Sequence, residues 1–183
     1  MSFIICEGID GSGKTTQALN IAKQLNIPYK KFPDYKNFPM LDDFLHGRVH
    51  LNDKSSFLLF LSDIAQNCPE GDAVLDRYVL STIAYATTID MGKAMDIVSA
   101  LDFREPSLIL LFDANPEVAL ERKKDQKTPV SVREKLEIQG VVRERFLTMY
   151  KRQFLTKNWY FIDGNKPLEE VSQEVLEVIR SVS

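Results

Sequence analysis

Gly8-Ile9-Asp10-Gly11-Ser12-Gly13-Lys14-Thr15, followed by Thr16, has the spacing G-x-x-x-x-G-K-T and stands directly behind the apolar run Phe3-Ile4-Ile5-Cys6. A polyphosphate needs several donors converging on one point, and few backbone shapes provide them. Glycines let the chain curl until successive N–H groups face inward, and a helix behind the curl adds its positive N-terminal end. Phe3–Cys6 reads as a buried strand and Thr16 to Leu25 as that helix. Gly8, Asp10, Gly11, Ser12, Gly13, Lys14, Thr15 and Thr16 are thereby expected to form an ATP-binding loop. Lys14 would reach the β- and γ-phosphates, and the Thr15 hydroxyl would hold Mg²⁺.

Outward from the loop, strand-like runs alternate with helical patterns: Phe3–Cys6, Ala73–Leu75, Leu108–Phe112 and Trp159–Ile162, with a weaker candidate around Tyr29–Phe32. Such alternation predicts an α/β fold, a parallel sheet with helices on both faces. Leu108-Ile109-Leu110-Leu111-Phe112 is apolar at every position, as a strand buried on both faces should be. Asn115-Pro116 behind it is a helix start. Leu168 to Ile179 is amphipathic and forms a last surface helix. A further helix, from Ser55 or Ser56 to Asn67, is apolar nearly all round, so it must bury a second face against the core, a ligand or another subunit.

The 183 residues are most simply one domain, 1–183. A net charge of -3 points to neither a nucleic-acid surface nor an anionic membrane partner. No apolar stretch is long enough to span a bilayer, and the apolar start breaks at Glu7, too early for a signal peptide. Cys6 and Cys68 fit neither a disulfide framework nor a metal-ligand spacing; they read as reduced thiols of a cytoplasmic protein.

Asp76-Arg77-Tyr78 ends the run Ala73–Leu75. In open parallel sheets ligands sit outside the carboxyl ends of the strands, the edge that also carries the phosphate loop. Asp76 can hold Mg²⁺ or its waters there, and Arg77 can grip a phosphate bidentately. Ser81 or Thr82 shares a helix face with Tyr85, a combination that suits a sugar and base as well as an ordinary surface. Phe32-Pro33-Asp34-Tyr35 falls near the same edge. The charged stretch Glu121–Pro129 reads as a solvated loop or, beside a phosphate loop, as a lid whose arginines close over the phosphates.

Taken together, Glu7 to Thr16, Phe32-Pro33, Leu59-Phe60, Asp76 to Ser81, Ala84-Tyr85 and Phe161-Ile162-Asp163-Gly164 resemble the thymidylate kinases, P-loop nucleoside monophosphate kinases, over essentially the whole chain. The resemblance implies a doubly wound P-loop NTPase fold on a five-stranded parallel sheet with a short lid at about 122–131. It implies transfer of the ATP γ-phosphoryl group to dTMP, with Mg²⁺, in a homodimer. Lys14, Arg77, Asp10 and Asp76 become the catalytic set, with Thr15 and Asp76 at the metal. Asp10, Phe32, Phe60, Arg77, Ser81 and Tyr85 become the acceptor site: Asp10 near the 3′-hydroxyl and phosphate, Phe60 stacked on the base, Tyr85 crowding the 2′ position. Arg122 and Arg133 become lid arginines, and Glu137 matches a recurrent acid.

The chain departs from that pattern at three places. An arginine expected just after Phe-Pro is replaced by Asp34 and Tyr35, one four residues beyond Phe60 by Ile64, and a glutamine after Ala-Tyr by Ala86. Losing a charged hydrogen bond costs about 1.5–3 kcal/mol, or roughly tenfold to a hundredfold in affinity. Arg48, Lys30, Lys31 or Lys36 could compensate. The departures fall on the acceptor, so relaxed base selectivity is the expected consequence. Two rival readings follow: a deoxynucleoside kinase with Asp34 as the base, and a non-catalytic nucleotide-binding protein.

Overall fold

The computed structural model describes residues 2–125 and 136–182. Five strands, β1 (Phe3–Glu7), β2 (Tyr29–Lys31), β3 (Ala73–Asp76), β4 (Leu108–Asp113) and β5 (Trp159–Asp163), form one parallel sheet in the order β2-β3-β1-β4-β5. The eight helices of the described residues are α1 (Lys14–Leu25), α2 (Pro39–Leu45), α3 (Asp53–Asn67), α4 (Val79–Tyr85), α5 (Met91–Ala100), α6 (Pro116–Asp125), α7 (Leu136–Arg152) and α8 (Leu168–Val182).

Side chains alternate across a strand, so each strand feeds two cores. Ile4, Cys6, Val74, Leu108, Leu110, Phe112 and Ile162 pack against Ala18 and Ile21 of α1 and Val171 and Val175 of α8. Phe3, Ile5, Leu75, Ile109 and Leu111 pack against α3, α4, α5 and α7 on the opposite face. The apolar run of β4 is thereby explained: Leu108, Leu110 and Phe112 are buried in one layer and Ile109 and Leu111 in the other. The helix after β1 goes to one face and the helix after its neighbour β3 goes to the other. A crevice opens between the carboxyl ends of these strands, where ligands bind in open α/β sheets.

Element boundaries shift modestly from the sequence reading. The weak candidate strand is real but ends at Lys31, because Phe32 turns into the core at 2% exposure. α3 starts earlier than Ser55, since the Asn52 side chain accepts the Ser55 N–H at 2.9 Å and caps the helix. One face of α3 enters the core through Phe57, Leu61 and Ile64, while Leu58 stays 55% exposed.

α7 is tied to α4 by one arginine. The Arg145 guanidinium donates to the carbonyls of Ile83, Ala86 and Ile89 at 2.9, 2.6 and 2.6 Å, holding the last turn of α4 and the segment that follows it. Burial lowers its pKa, so each of these bonds carries part of a desolvated charge. Arg145→Met, which keeps the stem but loses the donors, is expected to cost about 2 kcal/mol. Urea unfolding monitored by circular dichroism measures it, and an unchanged midpoint would refute the assignment.

Candidate active site

The loop after β1 is shaped by close backbone approaches. A Cβ on Gly8 would lie 2.3 Å from the Phe112 carbonyl oxygen, and one on Gly11 would lie 2.1 Å from that of Ala119. Both residues have positive φ, 145° and 84°, so no other side chain suits either position. Gly13 caps α1 in the left-handed region at φ 93°. Gly164, after β5, presses on the loop from the side, because a Cβ there would lie 2.9 Å from the carbonyl oxygens of Ser12 and Asp113. The Ser12 side chain is buried beneath the loop at 1% exposure.

Lys14 lies at the start of α1, buried to 4% exposure, and donates to the Ile9 carbonyl at 3.1 Å. Asp10 stands 3.6 Å from its ammonium. Burial, followed by the nearby Arg77 charge, lowers the Lys14 pKa to about 8, against the opposing pull of Asp10 and Asp76. The Thr15 hydroxyl donates to Asp76 Oδ2 at 2.5 Å, and Tyr29 donates to the same oxygen at 3.2 Å. The other Asp76 oxygen, Oδ1, is buried without a hydrogen-bond partner among the described residues. A hydroxyl and a buried carboxylate with an unspent oxygen suit a hard divalent cation that keeps waters and phosphate oxygens as its remaining ligands. Thr16 follows on the first turn of α1 and is exposed.

Arg77 leaves β3 with φ 78°, a left-handed backbone that costs a non-glycine residue about 1 kcal/mol or more. Its guanidinium makes an ion pair with Asp10 of the loop, donates to Ser81 Oγ at 2.9 Å, and lies over the Tyr85 ring at 5.1 Å. Ser81 and Thr82 on α4 are nearly buried, at 7% and 8% exposure. Burial raises the Tyr85 phenol to about 12, so it is a neutral ring and hydroxyl at physiological pH.

One buried acid carries no role in the sequence reading, where it only ends an apolar run and opens the Glu7–Thr16 stretch. Glu7 is fully buried; it accepts the Tyr78 N–H at 2.7 Å, the Ser81 N–H at 3.1 Å and the Ser81 hydroxyl at 2.6 Å. Burial raises its pKa to about 7, although the Ser81 hydroxyl, Arg77 and the two N–H groups favour the charged form. Arg143 of α7 was also missed. It holds Asp113, at the end of β4, through two 2.7 Å bonds. No motif marks either pair, since their partners are far apart in sequence.

Other expected site residues fall in varied places. Phe60 is half-buried on α3 and meets Phe44 edge to face at 6.3 Å. Phe32 is a core residue rather than an open ligand wall, because the turn after β2 directs its ring inward. Arg122 donates to the carbonyls of Gly164 and Lys166 at 2.6 and 3.3 Å, holding the turn after β5 instead of extending free. Arg133 and most of the expected lid lie outside the described residues. Glu137 is exposed in the first turn of α7.

The positions that depart from the expected pattern have structural reasons. Ile64 is buried at 2% exposure within the core, where an unpaired arginine would be strongly unfavourable. Asp34 accepts Lys30 at 2.9 Å and the Asn37 amide at 2.7 Å, while its own N–H donates to the buried Asp63 at 2.8 Å. Burial would raise the Asp34 pKa, but the bonds from Lys30 and Asn37 outweigh it and bring the value down to about 2. Arg48 is committed to Asp42 and Asp43. Lys31 is half-exposed, with its ammonium 4.0 Å from Asp76.

A glycine-shaped anion cradle, its lysine and a hydroxyl–carboxylate pair at the crevice of a 2-3-1-4-5 sheet define a P-loop phosphotransferase. The finer assignment comes from known proteins. The thymidylate kinase family model matches residues 6–175, and the chain belongs to that family. It is 33% identical to a thymidylate kinase of Leptospira borgpetersenii over 96% of this chain and 92% of the relative. It is 31% identical to one of Leptospira interrogans, over the same shares. A probable thymidylate kinase of Methanococcus maripaludis is 31% identical over 97% of this chain and 94% of its own length.

Gly11→Ala is expected to disrupt the loop outright, since its Cβ meets backbone, and to reduce ATP affinity by well over tenfold in calorimetric titration. Affinity within twofold of the parent would contradict the described loop geometry. Glu7 makes stability pH-dependent. Its folded value lies above the ordinary 4.5, so its favourable contribution is full below about pH 4.5 and is lost as pH rises through 7. Glu7→Gln should therefore flatten the fall in unfolding free energy between pH 5 and pH 8, by up to about 3 kcal/mol. An identical pH slope in both proteins would refute the burial argument.

Proposed function

We propose that this protein transfers the γ-phosphoryl group of ATP to a phosphate oxygen of dTMP, giving ADP and dTDP. The observation that carries the reading is the ion pair between Arg77 at the end of β3 and Asp10 inside the phosphate loop. It brings a phosphate-gripping cation from the acceptor side against the donor cradle.

In the reaction the bond between the γ-phosphorus and the bridging oxygen breaks, a bond to an acceptor phosphate oxygen forms, and ADP carries away the bridging oxygen. That acceptor oxygen is already ionised at neutral pH, so no strong base is required, and catalysis is positioning plus charge stabilisation. The loop amides and Lys14 would hold the β- and γ-phosphates, with Asp10 and Arg77 on the acceptor phosphate. Thr15 and Asp76 would hold Mg²⁺, which when bound would supply positive charge to offset that on the phosphates. Tyr85 and Phe60 would line the sugar and base. Asp34 is a poor candidate for the base of a deoxynucleoside kinase, since its ion pair leaves it with little proton affinity at neutral pH.

A cytoplasmic homodimer is the assembly this reading carries. Among the described residues no helix is long and apolar enough to cross a membrane. Cys6 and Cys68 are free thiols, and the exposed Leu58 on α3 offers an apolar contact to a second copy.

A panel of dTMP, dUMP, UMP, CMP, AMP and thymidine, followed by ADP release with ATP and Mg²⁺, tests this directly. Fastest turnover is expected with dTMP, with dUMP next. Faster turnover of thymidine would overturn the reading, as would none with any monophosphate. Lys14→Ala should lower kcat by well over tenfold; a near-normal rate would remove Lys14 from the site.

A further inference from the structure

The hydrogen bonds around Arg77 close on themselves. Glu7 is the last residue of β1, and its backbone runs straight into Gly8 of the loop. Its carboxylate takes the N–H groups of Tyr78 and Ser81, so a side chain from β1 caps the start of α4, where Tyr78 supplies no side-chain cap of its own. The second carboxylate oxygen takes the Ser81 hydroxyl, and that hydroxyl oxygen accepts Arg77 Nη1. Arg77 then returns to the loop at Asp10. Glu7, Ser81, Arg77 and Asp10 thus form a ring that begins and ends on the phosphate loop.

Such a ring answers two physical needs. A left-handed arginine at a strand end persists only where its surroundings hold it, and here they do so through the backbone of α4 and through the side-chain bond. A long cationic side chain also loses rotamer freedom when it grips a phosphate; a preset hydrogen bond removes part of that cost before the ligand arrives. The Ser81 hydroxyl is occupied on both sides, donating to Glu7 and accepting from Arg77. It has no second proton to offer a sugar or base.

We propose that Glu7 and Ser81 are positioning residues that aim Arg77 at the acceptor phosphate, with the Ser81 hydroxyl as relay rather than as a contact to the nucleoside. The proposal rests on the reading above, in which Arg77 binds that phosphate. It makes phosphate recognition, and not base or sugar recognition, the property that depends on Ser81.

The test compares dTMP with thymidine, which differ only in the phosphate. Calorimetric titration of the intact protein gives both affinities, and steady-state ADP release gives KM for dTMP and for ATP separately. Ser81→Ala leaves the backbone N–H bond to Glu7 in place. It is expected to weaken dTMP about tenfold to thirtyfold, as for a lost charged hydrogen bond, while thymidine affinity and KM for ATP stay within twofold. Glu7→Gln, which can still accept two N–H bonds and donate to Ser81, should keep the dTMP-to-thymidine ratio within about threefold of the parent; Glu7→Ala should lose it. An unchanged dTMP affinity in Ser81→Ala overturns the relay, and an equal loss for dTMP and thymidine makes Ser81 a nucleoside contact instead. A parent protein that turns over dTMP while Ser81→Ala is normal refutes this inference alone. A parent that neither binds nor phosphorylates dTMP refutes the functional reading and this inference with it.

Discussion

The contact between Arg77 and Asp10 spans the crevice that the sheet topology opens, and most of the site is arranged about it. Arg77 follows β3 directly and Asp10 lies in the loop after β1, so the pair joins adjacent strands at their carboxyl ends. On the loop side stand the glycine cradle, Lys14 and Thr15; on the other stand Ser81, Thr82 and Tyr85 of α4. Transfer between two anionic groups demands that both be held a few ångströms apart against their mutual repulsion. On the proposed reading, the cation and anion locked together across the crevice would set that separation before either ligand binds.

Electrostatics in this crevice are balanced rather than uniformly positive. Lys14 and Arg77 oppose one another, and Asp10, Asp76 and Glu7 offset both at close range. Burial is the largest influence on Lys14 and Glu7 alike, moving one down to about 8 and the other up to about 7. A polyphosphate entering such a site replaces internal counter-charges with its own, which favours the charged form of Lys14. The structural arginines serve a different end. Arg145, Arg143 and Arg122 are spent on backbone carbonyls or on Asp113, fixing α4, α7 and the turn after β5 around the loop.

The acceptor side also shows why a missing family residue need not mean a missing function. Position 64 belongs to the core in this chain, and the turn at Asp34 is held to α3 through Asp63 and to β2 through Lys30. Structure around the turn is maintained by an acid–lysine pair at the place where the family resemblance led one to expect an arginine. On the proposed reading, acceptor phosphate recognition rests on Arg77, which makes the bonds that orient it more consequential.

Much of this was legible in residue order. Gly8 to Thr16 announced its own geometry because glycine spacing, lysine and hydroxyl act within one continuous turn, and β4 announced its place because Leu108 to Phe112 is apolar at every position. Asp76 and Arg77 were legible because they end a strand that shares an edge with the loop. Glu7 read as the end of an apolar run and the start of the loop motif, Ser81 as a ligand contact, Arg122 as a lid arginine, and Phe32 as part of the acceptor site. Local motifs are written in the sequence because their chemistry is completed by neighbours along the chain. The Glu7–Ser81–Arg77–Asp10 ring, the Asp113–Arg143 pair and the burial of Ile64 were decided only by the tertiary structure. Their partners meet when parallel strands align and helices pack, across separations that no spacing rule encodes.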